Sequence, residues 1–239
     1  MMVDFSDKVV VITGAAGNLG SAVVHAFEAQ GASLVLLDRK EGRLKEMFPA
    51  ISKLDKHLLV DLVDLSFKES IDEAISKAVA HCGQVDVLVN TVGGYQAGTP
   101  VHETPIETME FLMDLNARTT FLSCQAAVPH MLKAGSGKII NIGARPGMKG
   151  SAKTGAYAMS KSAVLRLTES LSAELKRKGI NVNAVLPGTI DTPTNRKAMP
   201  DVDYSQWVTP EAISEVILFL ASDSASAVHG ALIPVFGTG

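Results

Sequence analysis

The chain has 239 residues, 46% hydrophobic and 20% charged, enough for one large α/β domain, residues 1–239, with a substantial core. Its net charge of −3 makes no electrostatic case for nucleic acid or an anionic membrane as partner, and no apolar run is long enough to span a bilayer. The opening Met1-Met2-Val3-Asp4-Phe5-Ser6-Asp7 lacks a basic region and a long apolar run, so no signal peptide is expected. Cys82 and Cys124 lack metal-ligand spacing and fall in helical patterns. They read as reduced packing residues, which suits the cytosol, and no metal site is expected.

Residues 8–13 form a short β-branched run suited to a strand buried on both faces. Gly14-Ala-Ala-Gly-Asn-Leu-Gly20 follows, then a helical pattern over 21–30 stopped by Gly31. Strand, glycine turn and helix make the context for phosphate binding: glycines admit the pyrophosphate, and the helix N-terminus supplies amide donors. The second strand, 33–38, ends in Asp38, eighteen positions after Gly20. A carboxylate there bonds the adenosine ribose hydroxyls and repels the extra phosphate of NADP. Arg39 and Lys40 beside it leave NADP as an open alternative to NAD.

A helix is expected over 41–53 and a strand over 57–63, closed by Asp64-Leu65-Ser66. Ile71, Ile75, Ala78 and Val79 share one face of a helix over 67–82. The fourth strand, 85–90, leads into Thr91-Val-Gly-Gly-Tyr95, and glycines at a strand's carboxyl end mark the ligand edge of open α/β sheets. A long helix is expected over 106–133, with Asn116 inside it. The plain reading of Asn116 is a solvated face. A fifth strand over 138–143 precedes a loop from Ala144 to Ser151. The helix over 155–178 carries Tyr157-Ala-Met-Ser-Lys161 and stops at Gly179. Tyr157 and Lys161 are four apart, so they share a face. An ammonium beside a phenol favours the phenolate, so a lowered tyrosine pKa is expected, fitting Tyr157 to donate or accept a proton.

The sixth strand, 180–186, closes with Pro187-Gly188. A polar irregular stretch runs over 191–206, before a last helix over 211–221 and a last strand over 231–236. Alternating strands and helices imply a doubly wound parallel sheet flanked by helices, of Rossmann type.

Taken together, these residues resemble the short-chain dehydrogenase/reductase family over nearly the whole chain. Thr13-Gly14, Gly17, Asn18, Leu19 and Gly20 match its dinucleotide loop. Asp64-Leu65 matches its adenine-contact pair, and Asn90-Thr-Val-Gly93 its strand-end motif. Asn116, Tyr157 and Lys161 match three of its four catalytic positions, while Pro187-Gly188, with Ile190 beyond, matches the turn beside nicotinamide. Two positions depart. Asn18 replaces a glycine, and asparagine tolerates a left-handed backbone better than other side chains. Ala144, thirteen positions before Tyr157, replaces the catalytic serine.

Alanine at that place is also found in the dihydropteridine reductase branch of the family. The narrower resemblance extends to Gly93-Gly94-Tyr95 and to the substrate loop near 189–208, from Val185 through Trp207. The resemblance implies NADH-dependent reduction of a quinonoid dihydropterin, with Tyr157 as proton donor and Lys161 holding the nicotinamide ribose. Ala144, Tyr95 and Trp207 would line the substrate site, the two aromatics either stacking on a flat ring or anchoring their loops. A ketone or 3-oxoacyl reductase working without its serine, and a dinucleotide-binding protein without catalysis, are the alternatives. A homodimer or homotetramer is expected, because the helices over 106–133 and 155–178 carry apolar residues on more than one face.

Overall fold

Side chains alternate between two buried faces along the first strand and set the layers of the molecule. In β1 (Val9–Thr13), Val10 and Ile12 enter one core cluster, and Val9 and Val11 the other. A strand apolar on both faces must be covered on both. The computed structural model describes residues 4–238. Met1, Met2 and Val3 of the opening considered for a signal peptide lie outside them.

Seven strands form one sheet in the order β3-β2-β1-β4-β5-β6-β7, every pair parallel. The others are β2 (Ser33–Leu37), β3 (Leu58–Val60), β4 (Val87–Asn90), β5 (Gly137–Ile142), β6 (Ile180–Pro187) and β7 (Leu232–Val235). On one face, Val23 and Phe27 of α1 (Asn18–Ala29) and Ile213 and Ile217 of α9 (Pro210–Ala221) pack on the sheet. On the other lie Ile71 and Ile75 of α3 (Lys68–Cys82), Ala127 and Met131 of α5 (Thr119–Ala134), and Leu175 of α7 (Gly155–Leu175). Strand order reverses between β1 and β4, and such a switch point opens a crevice at the carboxyl edge.

The expected helix over 41–53 shrinks to α2 (Arg43–Met47) and a 3₁₀ turn, Ile51–Lys53. Pro49 between them has no N–H for a helical bond. The expected long helix over 106–133 is α4 (Ile106–Leu112) and α5 joined by a π-helical turn, Met113–Arg118. That turn carries Asn116 into the interior with no exposed surface, so the solvated-face reading is corrected. The loop after β5 holds a short helix, α6 (Arg145–Met148). The stretch expected to be irregular holds α8 (Pro193–Ala198), capped by the Thr192 hydroxyl, and a 3₁₀ turn at Tyr204–Gln206.

Candidate active site

The glycine turn after β1 is shaped by contact more than by flexibility. A side chain at Gly20 would collide with the Gly14 carbonyl oxygen and with Ala15 Cα. Gly14 adopts φ +61°, and a Cβ there would stand 2.8 Å from Val92 Cγ2. Asn18 needs no left-handed tolerance: it is the first residue of α1, and the positive-φ residues do not include it. The helix has no side-chain cap, so its first-turn amides, from Asn18, Leu19 and Gly20, face the crevice ready for an anion. The uncapped helix N-terminus above this tightly packed glycine turn fits a pyrophosphate.

Asp38 stands nearly buried at the end of β2, accepting one hydrogen bond from Lys40 N–H at 3.0 Å. The acidic segment after β3 divides differently from the sequence reading. Asp64 accepts from Ser66 N–H at 3.0 Å and from the Ser66 hydroxyl at 2.6 Å. Those bonds, the hydroxyl's first, hold its carboxyl below the usual range. Leu65 is buried in the core under α3. Asp61, by contrast, accepts from Gly42 N–H with Oδ2 and leaves a buried Oδ1 without a partner. Leu62 beside it is 65% exposed at φ +62°. An unsatisfied buried acceptor next to an exposed apolar side chain is a feature the resemblance missed; only packing could reveal it.

Asn90 points into the sheet, not into the crevice. Its Nδ2 donates to Asn141 Oδ1 at 2.9 Å, and Asn141 Nδ2 donates to Thr168 Oγ1 on α7 at 2.9 Å. This buried chain ties the carboxyl ends of β4 and β5 to α7. Beyond Asn90, the Thr91 hydroxyl donates to the Thr13 carbonyl at 2.6 Å, fastening β4 to β1 across the switch point.

Asn116 grips the following turn from both sides. Gly94 N–H donates to its Oδ1 at 2.9 Å, and its Nδ2 donates to the Gly94 carbonyl at 3.1 Å and to Ser160 Oγ at 3.0 Å. Ser160, inside the Tyr–Lys motif, was not singled out from sequence, and its buried bond to Asn116 joins the π-helical turn to α7. Gly93 lies so close that a Cβ would be 2.8 Å from Asn116 Oδ1 and 3.1 Å from Lys161 Nζ.

Tyr157 and Lys161 share the inner face of α7, but they do not act on each other as the sequence suggests. Lys161 is 4% exposed, and its ammonium donates to the Ile142 carbonyl at 2.9 Å. Burial lowers its pKa to about 8. Burial, with a smaller contribution from Tyr95, raises the Tyr157 phenol to about 12. The expected lowering of the tyrosine pKa is therefore reversed, because desolvation outweighs a cation engaged elsewhere. The Tyr95 ring meets the Tyr157 ring edge-on, 4.8 Å between centroids. Ala144 is buried, in extended backbone, its carbonyl accepting from Gly147 N–H at 3.0 Å. A polar hollow walled by Gln96, Thr108, Lys153 and Ala156 lies between the segments that follow Tyr95 and precede Tyr157, and neither tyrosine lines it.

Pro187 ends β6, and Gly188 lies against Phe236, where a Cβ would stand 2.7 Å from the Phe236 carbonyl oxygen. Ile190 bridges to Val208 and packs on the core. Trp207 is not brought to Tyr157. It packs on Tyr204 at 4.8 Å, inside a cluster that includes the two-pronged Arg196–Asp191 pair.

A parallel sheet with a pyrophosphate cradle at its switch point and a Tyr–Lys pair on the adjoining helix defines a dinucleotide-dependent oxidoreductase. The profile of the short chain dehydrogenase family matches residues 8–203. The cis-4-hydroxycyclohexanecarboxylate dehydrogenase of Sinomonas cyclohexanicum is 32% identical, covering 98% of this chain and 96% of that protein. A 3-oxoacyl-[acyl-carrier-protein] reductase of Thermotoga maritima is 32% identical, covering 96% of each. The crystal structure of carveol dehydrogenase from Mycobacterium avium, in complex with NAD, superposes with a TM-score of 0.89 at 27% identity over 99% of both chains. The chain belongs to the short-chain dehydrogenase family, and its cofactor is a nicotinamide dinucleotide.

Proposed function

We propose that this chain is an NADH-preferring reductase of flat, conjugated acceptors of the quinonoid dihydropterin class, acting in the cytosol. The observation that carries the reading is Ala144, a buried methyl where the family pattern has a hydroxyl. Reduction of a ketone concentrates charge on one oxygen, and loss of one donor there costs about 3 kcal/mol. A conjugated ring spreads that charge and tolerates a single proton donor. The cytosolic setting accords with two free cysteines, one of them buried.

The bound cofactor supplies the hydride. Tyr157 supplies the proton, since a phenol raised to about 12 stays protonated at neutral pH. Tyr95 covers the phenol from one side. Lys161 and the Pro187–Gly188 turn hold the nicotinamide riboside, Gly14 through Gly20 the pyrophosphate, and Asp38 the adenosine ribose. Asp61 and Leu62 take the adenine contact in place of Asp64 and Leu65, because Leu62 is exposed whereas Leu65 is buried in the core. Asn90 and Asn116 act by fixing the glycine turn and the helix.

A second reading, reduction of a ketone or oxidation of a secondary alcohol, is favoured by the activities of the two relatives named above. Steady-state kcat/KM with NADH, on a quinonoid dihydropterin and on a substituted cyclohexanone, separates the readings. The parent is expected to prefer the pterin, and Tyr157→Phe to lose about 10²–10⁴-fold. Ala144→Ser is expected to improve only the ketone. Parent activity confined to the ketone overturns the pterin reading.

A further inference from the structure

Arg145 leaves the end of β5 directly after Ala144, and its Cζ stands 5.0 Å from the centre of the Phe236 ring beyond β7. In the sheet, β6 lies between β5 and β7. The arginine therefore reaches across the carboxyl end of β6, where Pro187 and Gly188 turn. Phe236 is seated on that turn: Gly188 N–H donates to the Val235 carbonyl at 2.9 Å, and the missing Cβ of Gly188 faces the Phe236 carbonyl. Arg118, Arg166 and Arg196 each pair with a carboxylate, but among the described residues none pairs with Arg145. Its guanidinium rests on an aromatic face, a hold weak enough to exchange for a better partner. The Lys161 ammonium, by contrast, is turned to the Ile142 carbonyl.

We propose that Arg145 meets the edge of the reduced acceptor, its guanidinium donating to the atoms over which the hydride's negative charge is spread. This rests on the reading of the site as a hydride-transfer centre. The hydride carries its electron pair into a new bond on the acceptor, which then bears one negative charge. The Tyr157 O–H bond breaks, its proton neutralises that charge, and water reprotonates Tyr157. The planar fork of Arg145 suits the oxygen and nitrogen edge of a pterin.

The test uses whichever acceptor, quinonoid dihydropterin or cyclohexanone, the parent turns over faster. Arg145→Met is expected to lose about 10–10²-fold in kcat, the scale of one hydrogen bond from a charged group. NADH affinity by fluorescence titration and the melting temperature are expected to match the parent. Arg145→Lys should fall between the two, and millimolar guanidinium should restore part of the rate of Arg145→Ala. Parent-like kcat in Arg145→Met, no guanidinium rescue, or a rate loss matched by an equal loss of NADH affinity overturns the proposal. A parent that prefers the ketone sinks the pterin reading and leaves Arg145 to be judged on that ketone. A parent that reduces neither overturns both.

Discussion

Lys161 is expected to cost the protein stability at neutral pH, and Lys161→Met measures that cost. Burial lowers the ammonium from 10.5 to about 8. At about 1.4 kcal/mol per pKa unit, holding it charged at pH 7 opposes folding by about 3 kcal/mol. Methionine keeps the stem but leaves the Ile142 carbonyl without its donor, a loss of about 1–3 kcal/mol. The variant should therefore be more stable by about 1 kcal/mol at pH 7, or about 2–4 °C in Tm for a domain of this size. The sign depends on pH. A lysine whose folded pKa lies below its unfolded one carries its full penalty below about 8 and loses it as pH rises toward 10.5. Between pH 7 and 9.5 the penalty falls by about 2 kcal/mol, so the order should reverse and the parent become the more stable. Urea denaturation of cofactor-free parent and variant at both pH values gives the difference directly. A stability difference that does not move with pH would refute the buried, charged lysine.

Gly93→Ala should lower kcat at least about tenfold, because its Cβ displaces Asn116 from the Gly94 backbone and from Ser160; overpacking of this kind costs about 1–3 kcal/mol, and unchanged kcat would contradict it. Asp38→Ala should narrow the preference for NADH over NADPH, since the repulsive carboxylate is gone, as the ratio of kcat/KM for the two cofactors will show. Alcohol oxidation through Tyr157 should climb steadily with pH below about 12, whereas reduction should not decline through this group between pH 6 and 9; pH–rate profiles in both directions test this. Phe111, Phe121 and Met159, on α4, α5 and α7, are 53%, 49% and 56% exposed, so a homodimer or homotetramer is expected, and light scattering showing a monomer at micromolar concentration would count against it.

What the chain determined by itself is what short-range periodicity can encode. The β-branched run before Gly14 could only be a buried strand, and four-residue spacing put Tyr157 and Lys161 on one helical face whatever surrounded them. Gly20 was readable for the same reason, since its obligation is to the Gly14 carbonyl six residues away. Tertiary structure decided the rest, because the deciding partners are remote in sequence. Asn116 became interior through the backbone of Gly94, twenty-two residues back, and Ser160, forty-four ahead. The direction of the Tyr157 pKa turned on burial and on the Ile142 carbonyl that occupies Lys161, neither of which a four-residue motif contains. Asp61 and Asp64 look alike in the sequence; Ser66, two residues on, satisfies one, while packing buries an oxygen of the other unpaired. Local pattern specifies which face a side chain takes, whereas desolvation and hydrogen-bond satisfaction depend on everything that closes over it.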